Sequence, residues 1–437
     1  MRIFYSAMWW LALPLVLARL WLRGRKEPGY RGHWGERLGF YDAASTSASS
    51  SSPAAPVLWV HAVSVGETRA AEPLIDALLA EYPNGRIVLT HMTPTGRATG
   101  KSLFAKHGAR LTQSYLPYDT GTMVGRFIKH FEPAVCILME TEVWPNLIAT
   151  CGARGVPVVL ANARLSERSL RKAGRLGSLI LDAAHGISLV AAQTEADAQR
   201  VRSLGVKQVE VTGSIKFDVV VPETALATGA ALRKAIGARP VLLFASTREG
   251  EEALILRAVR EGRSELPVNV LLLIVPRHPQ RFDEVAKMVG EAGLNVQRRS
   301  QLALDGADEG SIPAYIDVLL GDSMGEMFAY YAACDCTFVG GSLLPLGGQN
   351  LIEPAALGKP VLIGPHTFNF AESTEDALAA GGAQRVADAA GLVTAAARLL
   401  RDDAARAAMG RGALAFANRY RGATRRTLAL LAPLLKR

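Results

Sequence analysis

Cysteine is scarce in this chain of 437 residues, with Cys136, Cys151, Cys334 and Cys336 its only four. None stands at paired metal spacing, which excludes a cysteine-clustered metal site. Nothing suggests a disulfide framework either, so a reducing cytoplasm is the simplest compartment. Cys334-x-Cys336 borders an apolar run and reads as core packing, not redox chemistry. Charge is sparse as well. Charged residues make up 20% and hydrophobic ones 49%, so large cores can be buried and global disorder is excluded. Sequence repeats with periods of about 20–50 residues are missing. His61, His91 and His278 lack partners at metal spacing and read as hydrogen-bonding residues of a binding rim.

The charge that is present is uneven. The formal net charge is +9. Arg19, Arg23, Arg25, Lys26, Arg31 and Arg37 cluster against only Glu27 and Glu36, and Arg164, Arg168, Arg171, Lys172 and Arg175 against Glu167. No nucleic-acid motif accompanies these cations, so nucleic acid is not an expected partner. The first cluster follows Ile3–Leu22 (IFYSAMWWLALPLVLARLWL), whose twenty residues carry one charge, Arg19. That length just crosses a bilayer core as a helix. Its apolar residues go all round instead of forming one face, which argues against a surface-lying amphipathic helix. Trp9 and Trp10 lie mid-segment, where an aromatic belt would not place them. The cations behind it put the bulk of the chain on the cytoplasmic side. A cleaved signal peptide is the alternative, disfavoured because no small-residue cleavage site follows.

Asp42–Pro56 (DAASTSASSSSPAAP) reads as a linker or loop. Short apolar strands then alternate with helices, which implies parallel sheets covered on both faces. The first set is Val57–His61, Arg86–Thr90, Val135–Met139, Val156–Leu160, Leu189–Ala192 and Val209–Thr212, with a helix over Thr68–Tyr82. A polar stretch near residues 214–238 separates it from Val241–Ala245, Val270–Val275, Val318–Leu320, Cys336–Val339 and Val361–Ile363. The expected organisation is an anchor over 1–23, a basic segment and linker over 24–56, and Rossmann-like domains over 57–218 and 219–437. The second domain includes helices within Ala404–Leu435.

Ligands of open α/β sheets bind beyond the carboxyl ends of the strands, so the residues just after each strand are the informative ones. Val339–Pro365 carries Gly340, Gly341, Gly347 and Gly348 ahead of a helix that starts at Asn350 and stops at Gly358. Glycines admit a close backbone approach, and free N–H groups at a helix start favour phosphate. Glu353, about one turn in, suits a ribose diol. The alternative is a tight turn with no ligand. Glu67 follows the first strand and Gly66 at a helix start, a position that favours its ionised form and suits either a base or a helix cap.

Taken together, the strings RGRKEPGYRGHWGERLGFY, HAVSVGE, TPTGR, LPYD, METEVWPNLI, NARLS, TGSIKFD, VPRHPQRF, GDSMGE, FVGGSL, NLIEPAALGKPV and GPHTFNF, in order from Arg23 to Phe370, resemble one family. It is the Kdo (3-deoxy-D-manno-octulosonic acid) transferases of lipopolysaccharide synthesis. The resemblance implies a GT-B fold, with two Rossmann-like domains facing a central cleft. It implies inverting transfer of Kdo from the donor CMP-Kdo to a lipid A precursor, with CMP released, at the cytoplasmic face of the inner membrane. Glu67 matches the family's proton acceptor. Glu140 and Lys216 match positions assigned to transition-state stabilisation. Pro276 and Arg277, Met324, Gly325 and Glu326, and Asn350, Leu351, Ile352 and Glu353 match CMP-binding elements. No metal or cofactor is expected. Gln349 departs from the histidine often found there, which leaves its loop contacts open. Competing readings are a GT-B enzyme that uses a UDP-sugar and a membrane-tethered nucleotide-binding module without activity.

Overall fold

The computed structural model describes residues 1–41, 55–175, 177–304 and 311–435. The Ser/Ala-rich stretch lies outside them except for Ala55 and Pro56. Two compact units partition the chain: Met1–Asp218 with Arg421–Arg437, and Val219–Tyr420.

The first unit is built on seven strands: β1 (Val57–His61), β2 (Arg86–His91), β3 (Leu111–Tyr115), β4 (Val135–Met139), β5 (Val158–Ala163), β6 (Leu189–Ala192) and β7 (Val209–Val211). They form one sheet in the order β3-β2-β1-β4-β5-β6-β7, and every neighbouring pair is parallel. Central strands such as β4 (VCILM) are buried along their whole length, as expected of a parallel sheet covered on both faces. Strand order runs outward in opposite directions from β1 and β4, so the crevice beyond their carboxyl ends is this unit's natural ligand position.

The second unit repeats the plan with β8 (Val241–Thr247), β9 (Leu271–Pro276), β10 (Val296–Arg298), β11 (Val318–Leu320), β12 (Cys336–Val339), β13 (Val361–Ile363) and β14 (Ala383–Arg385). Their order is β10-β11-β9-β8-β12-β13-β14, again with parallel pairing. The corresponding crevice lies between β8 and β12. All four cysteines are free and buried in the two cores.

Three differences from the sequence reading have physical causes. The helix expected over Thr68–Tyr82 is two helices, Val65–Ala70 and Glu72–Glu81, because Pro73 lies in the first turn of the second and has no N–H to continue the first. The terminal helix Ala423–Leu435 belongs to the first unit, not to the second as expected. Its Leu428, Leu431 and Leu434 join the cluster formed by Leu74, Ile75 and Leu78. The Asp218 carboxylate accepts the N–H groups of Gly422 and Thr424 at its start.

The third difference is the N-terminal helix, Arg2–Arg23. It does not stand apart from the domain. Trp9, Leu13, Val16, Leu17 and Leu20, a stripe at helical spacing, pack with Tyr30, Tyr118 and Met123. The Trp9 and Tyr118 ring centroids are 5.6 Å apart, and Ser6 Oγ donates to Asn146 Oδ1 at 3.1 Å. The other side presents Ile3, Phe4, Met8, Trp10, Leu11, Leu15, Trp21 and Leu22 outward, with Leu11 79% exposed. The helix is apolar all round because one side is docked on protein and the other is bare. This explains why Trp9 sits mid-segment. The basic segment behind it is likewise not all surface: Arg37 is 1% exposed, its guanidinium 3.8 Å from the Tyr115 ring centroid.

Candidate functional site

In the first unit, Glu67 lies in the first turn of the helix after β1. Val63 N–H donates to its Oε2 at 2.7 Å and Ser64 Oγ to its Oε1 at 3.3 Å. These bonds make it a cap of its own helix, and they also fix the carboxylate. The expectation that the helix start keeps it ionised is not met. Burial, reinforced by the neighbouring Glu142 and Glu140 charges, outweighs its hydrogen bonds and raises its pKa to about 7. A carboxyl poised there is half ionised near neutral pH, a suitable state for taking a proton from an attacking hydroxyl.

Glu140 follows β4, the strand beside β1. Its Oε1 is 3.3 Å from Lys216 Nζ, and the lysine side chain is 36% exposed. Lys216 rides on the short 3₁₀ turn Ile215–Phe217 after β7. Glu140 and Asn162 both adopt left-handed backbone, with φ of 59° and 54°. Such conformations cost a non-glycine residue about 1–3 kcal/mol and cluster at functional sites. Glu142 is a third carboxyl here, its pKa raised by burial and by Glu140. Glu67, Glu140 and Lys216 are thus brought to one end of one sheet.

His61 and His91 are not rim residues, contrary to the sequence reading. Both are fully buried. His61 Nδ1 bonds Thr90 Oγ1 at 2.9 Å, and His91 Nδ1 lies 3.1 Å from the Ala62 carbonyl. Burial lowers their pKa values to about 3 and about 4, so both rings are neutral. His91 props the start of the loop that carries Glu67 through the Ala62 carbonyl. His278, half-buried, also has a lowered pKa, from burial and from Arg248, Arg277 and Arg281.

In the second unit, Pro276 ends β9 and Arg277 follows it, its N–H bonded to Thr247 O at 2.9 Å. Arg277 Nε donates to Gln349 Oε1 at 3.3 Å. Gln349 is therefore an acceptor that orients this arginine. Met324 is 64% exposed and Gly325 takes φ of 84°, a conformation glycine adopts at little cost. The Glu326 carboxylate is engaged internally by Arg299 Nη2 at 2.8 Å, by Ser323 and by Tyr330.

Asn350 Oδ1 accepts the Ile352 N–H at 3.0 Å and Asn350 Nδ2 donates to Glu353 Oε1 at 3.0 Å. The helix is only Ile352–Ala356, so Glu353 is its second residue instead of lying a turn inside. Leu351 and Ile352 point into the core, leaving Asn350 and Glu353 as the polar pair. Tyr331 lies buried near Glu353, its phenol pushed well up by burial and then by that charge.

The glycine loop differs from expectation in one respect. The N–H groups of Gly341, Ser342 and Leu343 are already taken by the fully buried Glu251 carboxylate, at 2.6, 3.0 and 3.0 Å. Glu251 also accepts from Arg248 N–H at 2.9 Å. This internal anion, which sequence reasoning passed over, occupies the donors that would face a phosphate. Gly340 is required for a different reason. A Cβ there would lie 2.6 Å from Ser246 O, so the glycine lets the β12 loop cross the β8 loop. Among the described residues no cluster of His, Cys, Asp or Glu is placed to hold a metal ion.

Comparison with known proteins agrees with this layout. A sequence model of the family described as 3-deoxy-D-manno-octulosonic-acid transferase matches residues 32–219. The 3-deoxy-D-manno-octulosonic acid transferase of Haemophilus influenzae is 38% identical over 100% of this chain and 99% of its own length. A crystal structure of a glycosyltransferase from Rickettsia africae superposes with a TM-score of 0.57 at 12% identity, covering 87% of this chain and 98% of that one. That likeness shows the fold, which is GT-B. The 3-deoxy-D-manno-octulosonic acid transferase of Bordetella pertussis is 46% identical over 96% of both chains, and this chain belongs to that family.

Proposed function

We propose that the protein is an inverting glycosyltransferase that moves Kdo from CMP-Kdo to a sugar hydroxyl of a lipid A precursor and releases CMP. The observation that carries this reading is Glu67. It is a half-buried carboxyl with a pKa of about 7, held by two hydrogen bonds in a chain of this family. In its ionised form it accepts the proton of the attacking hydroxyl as the oxygen closes on the anomeric carbon of Kdo. The bond from that carbon to the phosphate oxygen breaks, and CMP leaves with the electron pair. Lys216, held by Glu140 at 3.3 Å, supplies a cation for the negative charge of the donor's phosphate or of Kdo's carboxylate.

For the nucleotide we assign Pro276, Arg277, Met324, Gly325, Glu326 and Asn350–Glu353. The engagement of the Glu326 carboxylate leaves the backbone of Met324 and Gly325 as its contribution. Arg277, oriented by Gln349, offers a guanidinium for the phosphate or the base, and Glu353 an acceptor for the ribose. With the Gly341–Leu343 donors taken by Glu251, phosphate recognition falls to side chains of the site. The bare apolar side of helix Arg2–Arg23 and the cations after it seat the protein on the cytoplasmic leaflet of the inner membrane, where a lipid-borne acceptor resides. The docked stripe favours a helix lying in the leaflet over one that crosses it.

Glu67→Gln keeps the shape and removes the base. Kdo transfer falls by about 10²–10⁴-fold, with CMP affinity unchanged by calorimetric titration. Transfer above about a tenth of the wild-type rate, which that range of base catalysis does not allow, would remove Glu67 from this role.

A further inference from the structure

We propose that Asn162 is a positioning residue, whose side chain sets where Lys216 stands. The inference deepens the reading of Lys216 given above and rests on it. Asn162 lies where β5 loses its register with β6, between Leu160 and Ala163, and such a bulge re-aims a side chain. The residue is fully buried. Its Oδ1 accepts the N–H of Ile215, the residue before Lys216, at 3.0 Å. Its own carbonyl accepts Gln193 Nε2 at 2.9 Å, which fixes the bulge from the other side. The preceding residue, Ala161, accepts the Glu140 N–H at 2.9 Å. Both partners of the Glu140–Lys216 pair therefore hang on two consecutive residues of one bulge, Ala161 and Asn162.

A simpler role for Asn162 is to tolerate the left-handed backbone, φ 54°. Glycine would serve that role better, having no Cβ to strain. The carboxamide also leaves its Nδ2 buried without a partner, which is unfavourable for the fold. Its oxygen must therefore offset a cost that glycine would not carry, and among the described residues the only use of that oxygen is the Ile215 bond.

Asn162→Gly separates the two roles, because it keeps the backbone conformation and deletes the oxygen. The expected result is a folded protein with a melting temperature within a few degrees of wild type. Its kcat for Kdo transfer drops by about 10–100-fold, the scale of a displaced catalytic group, while KM for CMP-Kdo changes little. On a Lys216→Ala background the same substitution costs nothing further, since residues acting through one another are not additive. Asn162→Asp, which retains an accepting oxygen, recovers most of the rate. If Asn162→Gly proves too unstable to assay, Asn162→Ser, whose hydroxyl falls short of Ile215, replaces it with the same expected loss. A kcat within twofold of wild type in the glycine variant, with Lys216→Ala inactive, would overturn this inference and leave Lys216 in place. A fully active Lys216→Ala would instead overturn the reading on which it rests.

Discussion

Glu67 carries a stability cost that its proposed role as a base would explain. Its pKa is raised from 4.5 to about 7, by burial first and by the Glu142 and Glu140 carboxylates next. The folded protein then holds a proton that the unfolded chain gives up above about pH 4.5. Stability contributed by this group is therefore lost as pH rises from about 4.5 to about 7. Glu67→Gln should raise stability at pH 8 by about 1–2 kcal/mol and leave it unchanged at pH 4, measured by denaturant unfolding at both values. An equal effect at the two pH values would contradict the raised pKa. As the base must be ionised to act, kcat/KM should rise with pH through about 7 and then level off. A flat profile between pH 5 and 8 would place the limiting ionisation elsewhere. The placement of Glu67, Glu140 and Lys216 at one end of the sheet was legible in the sequence, because each follows a strand and each matches a family string. The charge state of Glu67 was not, since it depends on burial and on carboxylates brought together only by folding. The part Asn162 plays within the string NARLS, and the carboxylate of Glu251, were equally hidden. One acts through a bulge, the other through a loop about 90 residues away in sequence, and neither leaves a local mark.

At the level of elements, every interior strand was readable, and of the four edge strands only β7 was. The strands that escaped sequence reading, β3, β10 and β14, all stand at sheet edges. LTQSY and VQR lack the continuous apolar run of a strand buried on both faces. The glycine loop was legible as a loop, but the Glu251 carboxylate that takes its Gly341–Leu343 donors was not. With those donors taken, the proposed nucleotide site relies on neighbours such as Glu353. Glu353→Ala should weaken CMP binding by about ten- to hundredfold, as expected for loss of a hydrogen bond to a charged group. Acceptor affinity should not change. Equal CMP affinity in a folded variant, judged by titration beside a melting curve, would take Glu353 out of the site. The N-terminal helix has two separable sides. Replacing Leu11 and Leu15 by Asp alters only the bare side, 79% and 74% exposed at those positions. The variant should move to the soluble fraction with an unchanged melting temperature. Retention on membranes at high salt, where exposed charges are screened, would show that the bare side is not the anchor.

Across the molecule, the same construction appears in each unit: a parallel sheet, a point where strand order reverses, and polar residues at the strand ends beside it. In the first unit those residues are Glu67 and Glu140, joined by Lys216 from the sheet's far edge. In the second they are Arg277, Gln349 and the Asn350–Glu353 turn. On the proposed assignments, proton chemistry falls to one unit and nucleotide recognition to the other. This division favours group transfer from a nucleotide-activated sugar over simple nucleotide binding. The choice of CMP-Kdo over a UDP-sugar follows from the family to which the chain belongs. Incubating the purified full-length protein with CMP-Kdo and a detergent-dispersed lipid A precursor, and weighing the lipid product by mass spectrometry, tests both at once. The expected result is a product heavier by whole Kdo units, with CMP released one for one, and no product when a UDP-sugar replaces CMP-Kdo. An unmodified acceptor beside intact CMP-Kdo, or glycosylation from the UDP-sugar, would contradict the assignment of this protein as a Kdo transferase.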